Sequence, residues 1–163
     1  MSNYYEVISA QNERYYSIKF IGMVKEDDIK WRSFDLQSLQ FEASWEKALA
    51  INDRKLITDI FQVSSKIGEE SIQLVPIWEA MNYKGEVLIT VLIHNFTDTP
   101  HTFRHQKFTY QENETVVAEH IFTIPQVVIK PRNSMPWTFI FPIESLLLKK
   151  IHGNGKLECK LND

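Results

Sequence analysis

Val87-Leu88-Ile89-Thr90-Val91-Leu92-Ile93-His94-Asn95 and Pro136-Trp137-Thr138-Phe139-Ile140-Phe141 are the two runs whose reading decides the fold. In the first, Val87, Ile89, Val91 and Ile93 make one wholly apolar face, while Leu88, Thr90, Leu92 and His94 alternate on the other. A period of two rich in β-branched residues is the pattern of a strand, and apolar character on both faces places that strand centrally in a sheet. The second run puts Trp137, Phe139 and Phe141, with Ile143 beyond them, on one side. A tryptophan set between a proline and alternating aromatics is expected to plug a core, so Trp137→Ala is expected to cost roughly 3–5 kcal/mol.

Working outward, turn residues mark off further short strands. Ile72–Val75 and Ile77–Ala80 read as one strand broken by Pro76, which suits an edge or a bulge. Asn82-Tyr83-Lys84-Gly85 is a hairpin turn by composition. After the turn Phe96–Pro100 come a polar strand over Thr102–Tyr110, a turn at Gln111–Glu114 and a strand over Thr115–Ile124. Pro125-Gln126 interrupts, a short strand Val127–Ile129 follows, and Lys130–Ser134 is a loop. Glu144–Lys150 reads as a short helical turn, and Gly153-Asn154-Gly155 leads into a last strand over Lys156–Leu161. Short strands at this spacing are the signature of a sandwich. The expected fold class is mainly β, an immunoglobulin-like antiparallel β-sandwich with a mixed α/β N-terminal extension.

That extension is less regular. Tyr15–Ile21 reads as a strand, Lys25–Asp28 as a solvated turn and Trp31–Phe34 as the start of a return strand. Ser44–Ile60 is the best helix candidate, with Ser44 as cap and Trp45, Leu49, Leu56 and Ile60 on one face. Asn52-Asp53 interrupts it; if the chain turns there, Lys55–Phe61 becomes a strand instead. Ser64–Glu70 reads as a linker. The boundary is accordingly expected inside it, with 1–66 as the mixed N-terminal segment and 67–163 as the sandwich domain.

Composition narrows the function classes. An apolar fraction of 44% and an aromatic fraction of 12% over 163 residues supply a real core. A net charge of −3, with the acidic surplus in the first 70 residues, argues against a general grip on nucleic acid. No run approaches the roughly 18 apolar residues of a membrane span, and Met1–Ala10 shows no secretory leader, so a cytoplasmic location is expected. Cys159 is the lone cysteine, which excludes an internal disulfide and a cysteine-built metal site.

Candidate chemistry is sparse. There is no Gly-x-Ser-x-Gly elbow and no phosphate-cradling glycine motif, and Glu112, Glu114 and Glu119 are explained by turns and surface. The chain is not expected to be an enzyme, and no cofactor is expected. His101 and His105 would lie about 13 Å apart on a strand, too far to share an ion. A cluster of His94, His105 and His120 across neighbouring strands is the alternative reading, a metal- or small-ligand-binding sandwich. The stretch Phe103–Tyr110 is the nearest approach to a binding face. Half-polar sheet edges accept an added strand, so Phe103, Arg104, His105, Lys107, Phe108 and Tyr110 are the candidate partner-binding edge. Such edges are also able to pair two copies of the chain into a homodimer.

Ile129-Lys130-Pro131-Arg132-Asn133-Ser134-Met135-Pro136-Trp137-Thr138-Phe139-Ile140-Phe141-Pro142 resembles the signature loop and strand of the SLAP domain, with Met135 where an arginine is usual. Val87–Asn95 is similar to that family's strand ending in asparagine, and Val116–Phe122 to its next strand. Trp45, Lys55 and Phe61 fall where the family carries a tryptophan, a lysine and an aromatic ahead of its β-domain. The likeness covers about Leu39 to Leu148. It implies a Firmicutes protein tied to an accessory Sec pathway and to surface-layer assembly. It further implies a non-catalytic helper whose partner is an export substrate or a secretion component, and it supplies no catalytic residues.

Overall fold

The elements follow in the order β1 (Tyr15–Tyr16), β2 (Ser38–Leu39), α1 (Ala43–Ala48), α2 (Ile51–Ser64), β3 (Ile72–Met81), β4 (Val87–Asn95), β5 (His101–Glu112), β6 (Thr115–Ile129), β7 (Asn133–Phe141), a 3-10 turn (Ile143–Ser145) and β8 (Lys156–Cys159). The computed structural model describes residues 15–16, 37–66 and 71–160. The predicted Lys25–Asp28 turn and Trp31–Phe34 strand lie outside these residues, as does most of the predicted Tyr15–Ile21 strand.

The strands make a five-stranded sheet, β1-β3-β4-β7-β2, and a three-stranded sheet, β6-β5-β8. Among the described strands only the short β2–β7 pairing is parallel. With β3-β4-β7 facing β6-β5-β8, the order is that of strands A-B-E opposite C′-C-F, so the sandwich is immunoglobulin-like as the strand grammar predicts. β4 is central because both of its faces are covered. Val87, Ile89, Val91 and Ile93 enter the core between the sheets, and Leu92 enters a second core under the helices.

The inter-sheet core is built on aromatic rings. Phe103, Phe108, Phe122, Phe139 and Phe141 meet pairwise at centroid distances of 4.4 to 5.8 Å. Each such buried ring stabilises the fold by about 1.5–3 kcal/mol through the area it removes from water. Phe139, fully buried, is the plug. Trp137 is not. It is only half-buried; among the described residues β2 flanks β7 at Asn133 and Ser134 alone and does not reach Trp137. Ile143, past Pro142 in the 3-10 turn, is 61% exposed.

The helical segment is helix as the Ser44–Ile60 reading has it, and departs from expectation in where it breaks and how it is capped. The break falls at Leu49–Ala50, both in extended backbone, and Asn52-Asp53 sits in the first turn of α2. There Asp53 is well placed against the positive end of the helix dipole. Lys55–Phe61 is helix rather than strand: Leu56, Ile57, Ile60 and Phe61 lie on one face against Val75, Ile77, Trp78 and Leu92, and this burial outweighs β-branched propensity. The cap is Glu42, whose carboxylate accepts from Ser44 N at 2.9 Å and also from the Ser44 hydroxyl, which holds it below the usual carboxylate range.

Residues 37–66 therefore share a core with β3 and β4, and Ser64, predicted in a linker, is buried in the last turn of α2. The boundary expected at 66/67 falls between the helices and the strands they pack on. Pro125 does not end a strand either: β6 runs unbroken from Thr115 to Ile129, because an edge strand tolerates a missing N–H. Pro76 does produce the expected bulge, between Pro76 and Trp78. Asn113 and Glu114, at φ 47° and 65°, form the tight β5–β6 turn. The chain from Pro142 to Gly155 then crosses the lower end of the sandwich to start β8. It includes the short turn at Ile143–Ser145 in place of the longer helical turn predicted.

Candidate functional site

The predicted partner edge falls on β5, which described strands cover along one side and only in part along the other. β5 is the middle strand of its sheet, with β6 along one side and β8 on the other at Phe108–Gln111. Phe103, Phe108 and Tyr110 are fully buried, whereas Arg104, His105 and Lys107 are exposed. A residue spacing of five should put Phe103 and Phe108 on opposite faces. A bulge between Phe103 and Gln106, with His105 at φ 50°, resets the alternation and turns both rings inward. Of the basic residues, Lys107 is paired to Glu119 at 3.0 Å.

The outer strands of this sheet are β6 and β8. Among the described residues β8 pairs with β5 alone; it sends Leu157 into the core and presents Lys156 and Glu158 to solvent, with exposed Lys160 just beyond it. Between β8 and Ile72–Leu74 of β3 runs a groove of about 300 Å³. Cys159 stands half-buried in its wall, and burial pushes the thiol up to about 11. Almost no thiolate exists near neutral pH, which removes this cysteine as a nucleophile.

Behind β8 lies a buried cluster that sequence reasoning passed over. Tyr110 Oη lies 2.9 Å from Glu79 Oε1 and 3.2 Å from Glu112 Oε1. Glu112 accepts the backbone N–H groups of His152 at 2.9 Å and Gly153 at 3.0 Å, and Glu79 accepts that of Gly155 at 3.1 Å. Glu79 is 3% exposed and Glu112 is 6% exposed. Burial raises the Glu79 carboxyl above its ordinary value, opposed by its hydrogen bonds from Tyr110 and Gly155 and reinforced by the charge on Glu112. The two carboxyls are thus anchors for the loop that leads into β8. Glu112 is no surface turn residue. The one sequence signal was a lone glutamate in the apolar strand Ile77-Trp78-Glu79-Ala80-Met81.

His94 is the second buried polar centre. On the helix-facing side of β4, its Nε2 lies 2.7 Å from Ser64 Oγ and its Nδ1 lies 2.5 Å from Ser134 Oγ. Ser64 donates to the Ile60 carbonyl, so its oxygen is left to accept from Nε2–H. Ser134 then donates to Nδ1 while accepting from Gln37 Nε2 at 3.2 Å. Every bond in this chain is satisfied by a neutral imidazole, and burial lowers its pKa to about 4.

The other histidines are placed elsewhere. His101 is half-buried and edge-on to Phe103 at 4.8 Å, His105 is exposed, and His120 packs edge-on to Phe122 at 4.7 Å. The structure does not gather His94, His105 and His120. Among the described residues no three histidine, cysteine, aspartate or glutamate side chains are close enough to hold one metal ion. Among the same residues no helix is long and apolar enough to cross a membrane.

The SLAP domain family model matches residues 39–156, a span that takes in both helices and all of β3 to β7. No curated protein and no solved structure matches.

Proposed function

The chain belongs to the SLAP domain family, and from that premise we propose that it is a non-catalytic protein-interaction module of the cytoplasm. It serves accessory Sec-dependent export and surface-layer assembly by binding an export substrate or a component of the secretion machinery. One contrast carries the reading. His94, Tyr110, Glu79 and Glu112 are buried and bonded inward, whereas β8 presents, beside a groove, a strand edge that no other described strand pairs. Main-chain groups of such an edge bind an extended segment without demanding its sequence, and the groove adds a seat for its alternate side chains.

A photo-crosslinking residue at Glu158, on β8, tests this against one at Gln126, on β6. In cells of the source organism the Glu158 position is expected to yield an adduct with an exported surface protein or a secretion component, and the Gln126 position none. Adducts with the chain itself alone would show that the edge pairs two copies. Equal, non-specific labelling at the two positions would defeat the proposal.

A further inference from the structure

Tyr110, Glu79 and Glu112 are one hydrogen short for two ionised carboxyls. Tyr110 Oη lies 2.9 Å from Glu79 Oε1 and 3.2 Å from Glu112 Oε1, and a phenol has a single hydrogen to donate. With both carboxyls ionised, that hydrogen would have to serve two buried anions. A second hydrogen on one carboxyl removes the conflict: Tyr110 then accepts from the acid and donates to the carboxylate.

The surroundings decide which carboxyl carries it. Glu112 is the better anion, accepting the His152 N–H through both oxygens at 3.0 and 2.9 Å and the Gly153 N–H at 3.0 Å. Glu79 accepts the Gly155 N–H at 3.1 Å through Oε1, but its Oε2 is buried with no hydrogen-bond partner among the described residues. A charge shared with an unsolvated oxygen is far costlier there than a neutral carboxyl. The bonds therefore run from the Glu79 O–H to the Tyr110 O–H to the Glu112 carboxylate. Tyr15 of β1 and Ile89 of β4 are the register partners of Glu79, and Thr115 of β6 is that of Glu112. Glu114, His152 and Lys156 are exposed, and among the described residues no lysine, arginine or histidine side chain bonds either carboxyl.

What the two carboxyls hold is the route into β8. Gly153 and Asn154, at φ 86° and 59°, turn the chain in the left-handed region, and Gly155 lies so close to the Tyr110 ring that a side chain would not fit. β8 starts at the next residue and pairs with β5 over only four positions, Lys156 to Cys159. A ladder that short leaves the anchored loop to hold the strand in place. We propose that Glu79, Tyr110 and Glu112 are a one-proton latch on β8. With the proton bound, the loop 152–155 is seated and β8 lies on β5; without it, two buried carboxylates compete for one hydroxyl, the loop lifts and β8 leaves the sheet. Resting on the reading of β8 as the protein-binding edge, the latch presents that edge at lower pH and withdraws it at higher pH. The sign follows from burial, which raises the Glu79 carboxyl above its ordinary value of 4.5: the seated loop is fully favoured below 4.5 and loses its advantage as pH rises through the folded midpoint.

Amide hydrogen exchange of the full chain, followed by NMR across pH, tests the latch without any partner. Protection factors are expected to fall at Gly153, Gly155 and Lys160, whose N–H bonds the Lys107 carbonyl at 3.3 Å. The fall is about tenfold per pH unit from 4.5 up to the folded midpoint, one proton being lost on opening, and then levels off. Amides of β4 stay far more protected throughout, because β8 opens without the sandwich unfolding. Glu79→Gln keeps a neutral donor to Tyr110 and is expected to flatten the profile. Carboxyl-carbon NMR of the parent reads the proton with no variant: one buried glutamate is expected to stay protonated well above 4.5. Both glutamates ionising near 4.5, a flat parent profile, the same slope in Glu79→Gln, or loop amides that exchange only as fast as those of β4 would each overturn the proposal. The crosslink at Glu158 reads the binding edge separately, so a failed latch and a failed edge are told apart.

Discussion

Gly155→Ala probes the closure of the lower end of the sandwich. A Cβ at residue 155 would lie 2.2 Å from Tyr110 Cζ and 2.3 Å from both Cε2 and Oη. Carbon atoms in comfortable contact sit at about 3.5–4.0 Å, so ring and loop must part by more than about 1 Å. Neither is free to do so. Tyr110 is fully buried and its Oη is fixed 2.9 Å from Glu79, while the loop is held by Gly153 N and Gly155 N on the two carboxyls at 3.0 and 3.1 Å. Overpacking alone costs about 1–3 kcal/mol. Losing a hydrogen bond to a buried carboxyl adds about 1.5–3 kcal/mol, for a total of roughly 2.5–6 kcal/mol. Against a domain stability of about 5–15 kcal/mol this is a large fraction. Urea unfolding followed by tryptophan fluorescence reads it as a lowered midpoint at unchanged slope. On a Tyr110→Leu background the ring is gone and the added cost of Gly155→Ala is expected to fall to about 1 kcal/mol or less. A Gly155→Ala chain within about 0.5 kcal/mol of the parent would refute the reasoning, as would an equal cost in the two backgrounds.

The imidazole of His94, ordinarily near 6.5, is expected to titrate in the fold at about 4 by NMR. The unfolded chain therefore gains a proton that the folded chain refuses. Stability is full above pH 6.5 and falls as pH drops from 6.5 to 4, by roughly 3 kcal/mol in all. Glu79 has the opposite sign: its raised pKa contributes stability at low pH that is lost as pH rises through the folded value. Comparing the pH slope of the parent with that of His94→Gln isolates the histidine, and a folded midpoint near 6.5 would contradict its burial. Phe139→Ala is expected to cost about 3–5 kcal/mol and Trp137→Ala distinctly less, since Phe139 is the fully buried ring; a reversed order by urea unfolding would move the centre of the core. Cys159, with its thiol at about 11, is expected to react with Ellman's reagent far more slowly than a free thiol at pH 8 and at the ordinary rate once urea unfolds the chain.

Much of the architecture is written in local periodicity. Val87–Asn95 alternates side chains on a two-residue repeat, and that alone makes it a strand with two covered faces, whatever packs against it. Asn82–Gly85 and the Asn113 region likewise announce their turns through residue chemistry. The order of apolar runs and turns is enough to specify a sandwich, and the Pro76 bulge follows from a missing N–H. The family resemblance rests on the same strands; read over about Leu39 to Leu148, it stops short of the matched span, which runs on to residue 156.

Other features depend on residues far apart in the chain. Ile57 and Ile60 have little intrinsic reason to choose helix over strand; the apolar outer faces of β3 and β4 decide it by burying them. Phe108 faces the same way as Phe103 only because a bulge intervenes, and the bulge is set by the β5–β6 pairing. Glu79 and Glu112 are 33 positions apart in the sequence and become one site when Tyr110 brings them to the loop before β8. His94 meets Ser64 and Ser134 in the same way, across 30 and 40 residues. A repeat of two or of 3.6 tells each side chain which direction to point, and this chain carries that information openly. Which polar groups meet in the interior depends on how two sheets and a helix close over one another, and that is a property of the assembled fold.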